Sequence, residues 1–269
     1  MKNILLFLLI STSIFAQKVD TLTIFSNAMQ KNIKNVVIVP DTPQSQNKEF
    51  PVLYLLHGAY GDFSNWITKV PEIKKYANQY NMIIVCPDGD PFSWYFDSPI
   101  DKEFRYETYI SKELITVIDE KYATIKSKKG RAITGLSMGG HGAFYLAFKH
   151  QDLFGAVGSM SGGMDLVRFA DKKNYELTKR LGNFKEFPNH WINNTIINMT
   201  DLVVGKNLKI YFDCGIDDFL YGTNIDLHKK LLSQNIPHDY TERSGSHSWE
   251  YWANSIKYHI VFFDSFFNN

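Results

Sequence analysis

Arg131-Ala132-Ile133-Thr134-Gly135-Leu136-Ser137-Met138-Gly139-Gly140-His141-Gly142-Ala143 is the stretch on which the reading of this 269-residue chain turns. Its first four residues suit a short strand, and residues 139–150 carry the apolar content of a buried helix. Between the two lies G-x-S-x-G. A strand that turns directly into a helix brings neighbouring backbone very close, and small residues two before and two after the serine remove the Cβ clash. The hydroxyl of Ser137 then stands at a helix N-terminus, where free N–H groups and the helix dipole favour developing negative charge. Residue types and context together predict an activated nucleophile.

A serine hydroxyl is a weak nucleophile unless a base takes its proton, and in this strand-turn-helix context an orienting carboxylate and a histidine follow in that order. The C-terminal part supplies both. Cys214-Gly215-Ile216-Asp217-Asp218-Phe219-Leu220 follows an apolar run at 208–212, and Ser244-Gly245-Ser246-His247-Ser248-Trp249 follows another at 238–241. His247 sits in a Gly/Ser loop that leads into a helix, a place for an exposed base rather than a core imidazole. Either Asp217 or Asp218 could orient it while the other caps a turn. Two backbone N–H groups are expected to receive the oxyanion: that of Met138 and one from the loop after 53–56, which reads His57-Gly58-Ala59-Tyr60-Gly61 and points to Ala59. His57 and His141 are read as structural.

Around this centre, apolar runs alternate with longer periodic segments, the pattern of an α/β fold with a mostly parallel sheet and helices on both faces. Strands are expected at 21–25 and 36–39, as an antiparallel start, then at 52–56, 82–86, 131–134, 154–160, 208–212 and 238–241. Helices are expected at 73–80, 106–122, 139–150, 224–234 and 248–266. Residues 126–131 read as a solvated basic turn. Residues 164–205 are too long for an ordinary connection and are read as a short helical insertion over the active face. Residues 17–269 are expected to form one domain.

Lys plus Arg number 29 and Asp plus Glu 28, which leaves no field to hold nucleic acid or an anionic membrane surface. Lys2 followed by the apolar run 4–10 and small residues up to Ala16 reads as a secretory signal, too short to span a bilayer. Cleavage after Ala16 removes one lysine and leaves a formally neutral chain of 253 residues. The expected location is therefore secreted or periplasmic. Cys86 and Cys214, each at the end of an apolar run, read as buried free thiols, and the eight scattered histidines show no metal-ligand spacing. The chemistry calls for no cofactor.

The segments Leu53-Tyr54-Leu55-Leu56-His57-Gly58, Pro87-Asp88-Gly89, 135–143, 214–221 and His247-Ser248-Trp249-Glu250-Tyr251-Trp252 together resemble the putative-esterase family of α/β-hydrolases. That group includes feruloyl and acetyl-xylan esterases, tributyrin esterase, S-formylglutathione hydrolase and mycolyltransferases. The resemblance runs from about residue 20 to the C-terminus and is weakest over 164–205. It implies Ser137 as nucleophile, Asp218 as acid, His247 as base, and Ala59 and Met138 as oxyanion donors. It also implies that the strands ending in Cys86 and Cys214 lie well apart. The expected partner is a small-molecule or oligosaccharide ester, such as an acetyl or feruloyl ester of plant polysaccharide. Trp94, Tyr95, Trp191 and Trp249 are candidates for an aromatic wall. The rival readings are acyl transfer to a sugar hydroxyl and a non-catalytic carbohydrate-binding protein on the same scaffold.

Overall fold

The computed structural model describes residues 18–41, 48–172 and 175–269, so the leader expected over 1–16 lies outside the described part. Strands β1 (Lys18–Ser26) and β2 (Lys31–Val39) form an antiparallel hairpin in which every residue of one strand has a partner in the other. The hairpin joins antiparallel to β4 (Ile83–Pro87). From there β3 (Val52–Leu56), β5 (Arg131–Gly135), β6 (Ala156–Met160), β7 (Lys209–Gly215) and β8 (Asp239–Arg243) run parallel to β4, giving the order β1-β2-β4-β3-β5-β6-β7-β8. The helices are α1 (Asn65–Lys69), α2 (Ile73–Gln79), α3 (Tyr106–Thr108), α4 (Ile115–Lys121), α5 (Met138–Lys149), α6 (Leu177–Leu181), α7 (Pro188–Ile192), α8 (Tyr221–Ser233) and α9 (Trp249–Asn268).

The continuous apolar strands follow from burial on both faces. Leu53 and Leu55 of β3 face a cluster with Trp66, Ile73, Ala77, Trp252 and Ile256 from α1, α2 and α9. Val52, Tyr54 and Leu56 face the opposite cluster with Tyr109, Phe144, Phe148 and Leu227. Eleven of the twelve residues of α5 are buried, so this helix is apolar all round and has no solvent stripe. The strands carrying Cys86 and Cys214 are four spacings apart in the sheet, roughly 19 Å at ordinary strand separation. Both thiols are free and buried, as expected.

Two expectations need correction. The helix over 106–122 is interrupted, because Tyr109–Leu114 widens into a π turn between α3 and α4. This stretch docks on the β1–β2 hairpin: Tyr109 donates to Asn35 Oδ1 at 2.9 Å, and Glu113 accepts from Ser26 Oγ at 2.6 Å and Ala28 N–H at 2.9 Å. Arg131 is not part of a solvated turn; it is buried, ion-paired with Asp119 at 2.8 Å and bonded to the Leu153 carbonyl at 3.1 Å. The described residues of 164–205 hold α6, α7 and short 3-10 turns at Val167–Phe169, Ile196–Asn198 and Thr200–Val203, and they bury Leu177, Leu181, Trp191 and Ile196 into the main core.

Candidate active site

β5 delivers its chain at Gly135 into a turn held from three sides. Leu136 N–H donates to the Leu56 carbonyl at 3.3 Å, Ser137 N–H to the Met160 carbonyl at 2.9 Å, and Gly139 N–H to the Leu136 carbonyl at 2.7 Å. Ser137 sits at φ 53° and ψ −114°, a region costing a non-glycine residue roughly 1–3 kcal/mol that the surrounding bonds must offset. The glycines are explained by space. A methyl on Gly139 would stand 2.4 Å from the His57 carbonyl oxygen, and one on Gly135 would stand 2.6 Å from the Gly139 carbonyl.

The two C-terminal loops are bonded to each other before they meet the serine. Ile216 N–H donates to the Arg243 carbonyl at 2.9 Å and Asp217 N–H to the Gly245 carbonyl at 3.0 Å. Ser248 caps α9 by accepting from Tyr251 N–H at 3.3 Å, which ends the loop right after His247. The result is a continuous chain of hydrogen bonds. His247 Nδ1 lies 2.8 and 3.0 Å from the two carboxylate oxygens of Asp218, and its Nε2 lies 2.9 Å from Ser137 Oγ. The Asp218 side chain is fully buried and also accepts from Leu220 N–H at 2.8 Å, whereas Asp217 is exposed. The structure thus brings Asp218, not Asp217, to the imidazole. An imidazole held at Nδ1 by a buried carboxylate has a bare Nε2 with which to take a hydroxyl proton.

The loop after β3 lies against this turn: a methyl on Gly58 would stand 2.4 Å from Leu136 Cδ1 and 3.4 Å from Ser137 Cβ. Ala59 follows, half-buried, and among the described residues no acceptor takes its N–H or that of Met138. His57 is structural, with Nδ1 2.8 Å from the Gly58 carbonyl and Nε2 accepting from Gly89 N–H at 2.8 Å. His141 bridges two other carbonyls, those of Asn194 at 2.8 Å and Trp94 at 3.3 Å, and burial pushes its pKa down to about 4.

The expected aromatic wall is corrected by burial. Trp94 is 2% exposed and donates to the Tyr175 carbonyl, Tyr95 is 0% exposed, and Trp191 is 0% exposed with its indole N–H on the Gly182 carbonyl. Trp249 is half-buried, edge-on to Trp66 and Trp252. The rings that stand open are others. Phe219 is 60% exposed with its ring 4.5 Å from that of His247, and Tyr60, next to Ala59, is 67% exposed against Phe92 and Tyr175. Sequence reasoning also missed the buried Asp213 of β7. It pairs with Arg243 at 2.8 Å, accepts from Ser255 and Tyr251, and so ties β7 and α9 to the strand end that leads into the His247 loop. Its only signal was a charge inside an apolar run.

Residues 26–260 match the model of the family described as "Putative esterase". The chain belongs to this esterase family. A curated acetyl esterase of Caldicellulosiruptor saccharolyticus is 27% identical over 86% of the chain and 92% of its own length. The diacylglycerol acyltransferase/mycolyltransferase Ag85A of Mycobacterium tuberculosis is 29% identical over 78% of the chain and 72% of its own length. A solved ferulic acid esterase superposes with a TM-score of 0.79 at 30% identity, covering 94% of the chain and 99% of that structure. The esterase is therefore a carboxylic ester hydrolase with the α/β-hydrolase fold. No helix among its described residues is long and apolar enough to cross a membrane.

Proposed function

We propose that the esterase cleaves its substrates through an acyl-enzyme on Ser137. The observation that carries this is the unbroken Asp218–His247–Ser137 hydrogen-bond chain at 2.8 and 2.9 Å. Ser137 Oγ attacks the ester carbonyl carbon while His247 Nε2 takes its proton. The N–H groups of Ala59 and Met138 receive the oxyanion, and the imidazolium returns the proton to the departing alcohol. Asp218 holds the tautomer and stabilises the imidazolium. Water, deprotonated by His247, then releases the acid and frees Ser137.

The substrate class we favour is an acetyl or feruloyl ester of a plant polysaccharide, met outside the cytoplasm by a single domain released from its leader at residue 16. The acetyl esterase and ferulic acid esterase relatives and the apolar leader support this reading. The similarity to Ag85A supports a second one, in which a sugar hydroxyl replaces water as acceptor of the acyl group. A non-catalytic sugar-binding role is disfavoured by the intact hydrogen-bond chain. Stopped-flow hydrolysis of p-nitrophenyl acetate and a p-nitrophenyl ferulate ester is expected to show a burst approaching one equivalent of enzyme. The burst and turnover should vanish in Ser137→Ala, and full activity in that variant would refute the mechanism. Product analysis with a sugar acceptor present separates transfer from hydrolysis.

A further inference from the structure

We propose that Tyr95 is a positioning residue for the oxyanion-binding loop, its hydroxyl clamping the main chain of His57 two residues before Ala59. The inference rests on the reading of Ala59 as an oxyanion donor.

The clamp follows from the way the sheet ends. Backbone groups of successive residues in a strand point to opposite neighbours. The Leu56 carbonyl faces β5, where it accepts from Leu136 N–H, so the N–H and carbonyl of His57 face the β4 side. There the ladder has run out: β3 pairs with β4 only from Val52↔Ile83 to Tyr54↔Val85, and Asp88 N–H turns away to the Lys34 carbonyl. Tyr95 supplies both missing partners with one atom. Its hydroxyl accepts from His57 N–H at 3.1 Å and donates to the His57 carbonyl at 3.1 Å. Without it, a buried donor and a buried acceptor at the root of the loop would be orphaned.

The ring is seated for this task. A methyl on Gly89 would meet it at 2.2 Å and one on Gly142 at 2.5 Å, so two glycines on different elements make room for it. Trp94 and Tyr95 both take positive φ, 57° and 60°, a conformation that non-glycine residues adopt only where the surroundings impose it. Burial raises the phenol far above its ordinary range, so it stays a donor. The His57 side chain adds a second tie, binding Gly89 N–H to the same loop. Packing alone requires the ring and not the hydroxyl, which makes the claim separable.

Tyr95→Phe keeps the ring and deletes the clamp. The test compares an oxoester with the thionoester of the same acid and alcohol. Sulfur accepts hydrogen bonds poorly, so a displaced N–H donor penalises the oxoester selectively. We expect kcat for the oxoester to fall about 10- to 100-fold, less than loss of a whole donor, with KM within about twofold. The oxoester-to-thionoester rate ratio should fall by a similar factor. Gly142→Ala, which pushes the ring while keeping the hydroxyl, should move the ratio the same way and serves if Tyr95→Phe does not fold. An equal loss on both substrates, or none, would overturn the positioning role. Ser137→Ala is run beside them: retained turnover there would sink the mechanism and this inference together, whereas a dead Ser137→Ala with an unmoved ratio sinks only the role of Tyr95.

Discussion

Asp218→Asn tests the orientation of the imidazole more sharply than deletion would. In the structure Asp218 Oδ1 accepts from Leu220 N–H at 2.8 Å and lies 3.0 Å from His247 Nδ1, while Oδ2 lies 2.8 Å from the same nitrogen. An asparagine here must choose an orientation. Turning its amide nitrogen toward Leu220 sets two donors face to face in a buried site, at a cost of about 1–3 kcal/mol. The Leu220 N–H therefore keeps the oxygen at the Oδ1 position and sends the amide nitrogen to the Oδ2 position, against His247 Nδ1. The close contact at 2.8 Å then favours the tautomer with a bare Nδ1 and a protonated Nε2, which cannot take the Ser137 proton. The negative charge that stabilised the imidazolium is lost as well. Together these should lower kcat about 10³- to 10⁴-fold, or about 4–5 kcal/mol of transition-state stabilisation. The variant should still fold, because the Leu220 bond survives. Steady-state hydrolysis of p-nitrophenyl acetate, normalised to folded protein by circular dichroism, measures it, with exposed Asp217→Asn expected within about twofold of wild type. An Asp218→Asn enzyme within tenfold of wild type, or a larger loss in Asp217→Asn, would refute the assignment.

Buried His141 should make stability depend on pH in one direction. Its pKa of about 4 in the fold lies below the ordinary 6.5, so the unfolded chain binds the proton first as pH falls. Stability from this group is complete above pH 6.5 and lost progressively toward pH 4, about 3 kcal/mol in all. Urea unfolding across that window should show a shallower loss in His141→Gln, and identical slopes would count against the reading. Phe219→Ala removes the exposed ring beside His247 and should raise KM severalfold for acetylated sugars while ethyl acetate is little affected. Both thiols are buried and burial raises their pKa values, so a disulfide reagent should label neither Cys86 nor Cys214 in the native enzyme and both after unfolding.

The elements that were legible are those decided by local rules. Residues 52–56 read as a strand because both faces of the sheet are covered and the run is continuously apolar. The turn at Ser137 was legible because a strand-to-helix reversal demands glycine at fixed offsets. His247 was legible because no core imidazole belongs in a Gly/Ser loop. The π turn at Tyr109–Leu114 was not, since its cause is a docking site on the β1–β2 hairpin some 80 residues earlier in the chain. Nor was the burial of Arg131, whose partner Asp119 comes from α4.

The sequence by itself determined the order of the strands and of the longer helices, the strand-turn-helix at Ser137 and the two C-terminal loops that carry Asp218 and His247. These depend on periodicity, turn stereochemistry and the need of a serine for a base, all of which act over a few residues. Only the tertiary structure decided that Asp218 and not Asp217 meets His247, that Trp94, Tyr95 and Trp191 are core rather than cleft, and that Phe219 and Tyr60 stand open in their place. Exposure and hydrogen bonding belong to what surrounds a side chain, and those neighbours, such as Tyr175 beside Trp94 or His57 beside Tyr95, are brought up by the fold from elsewhere in the chain.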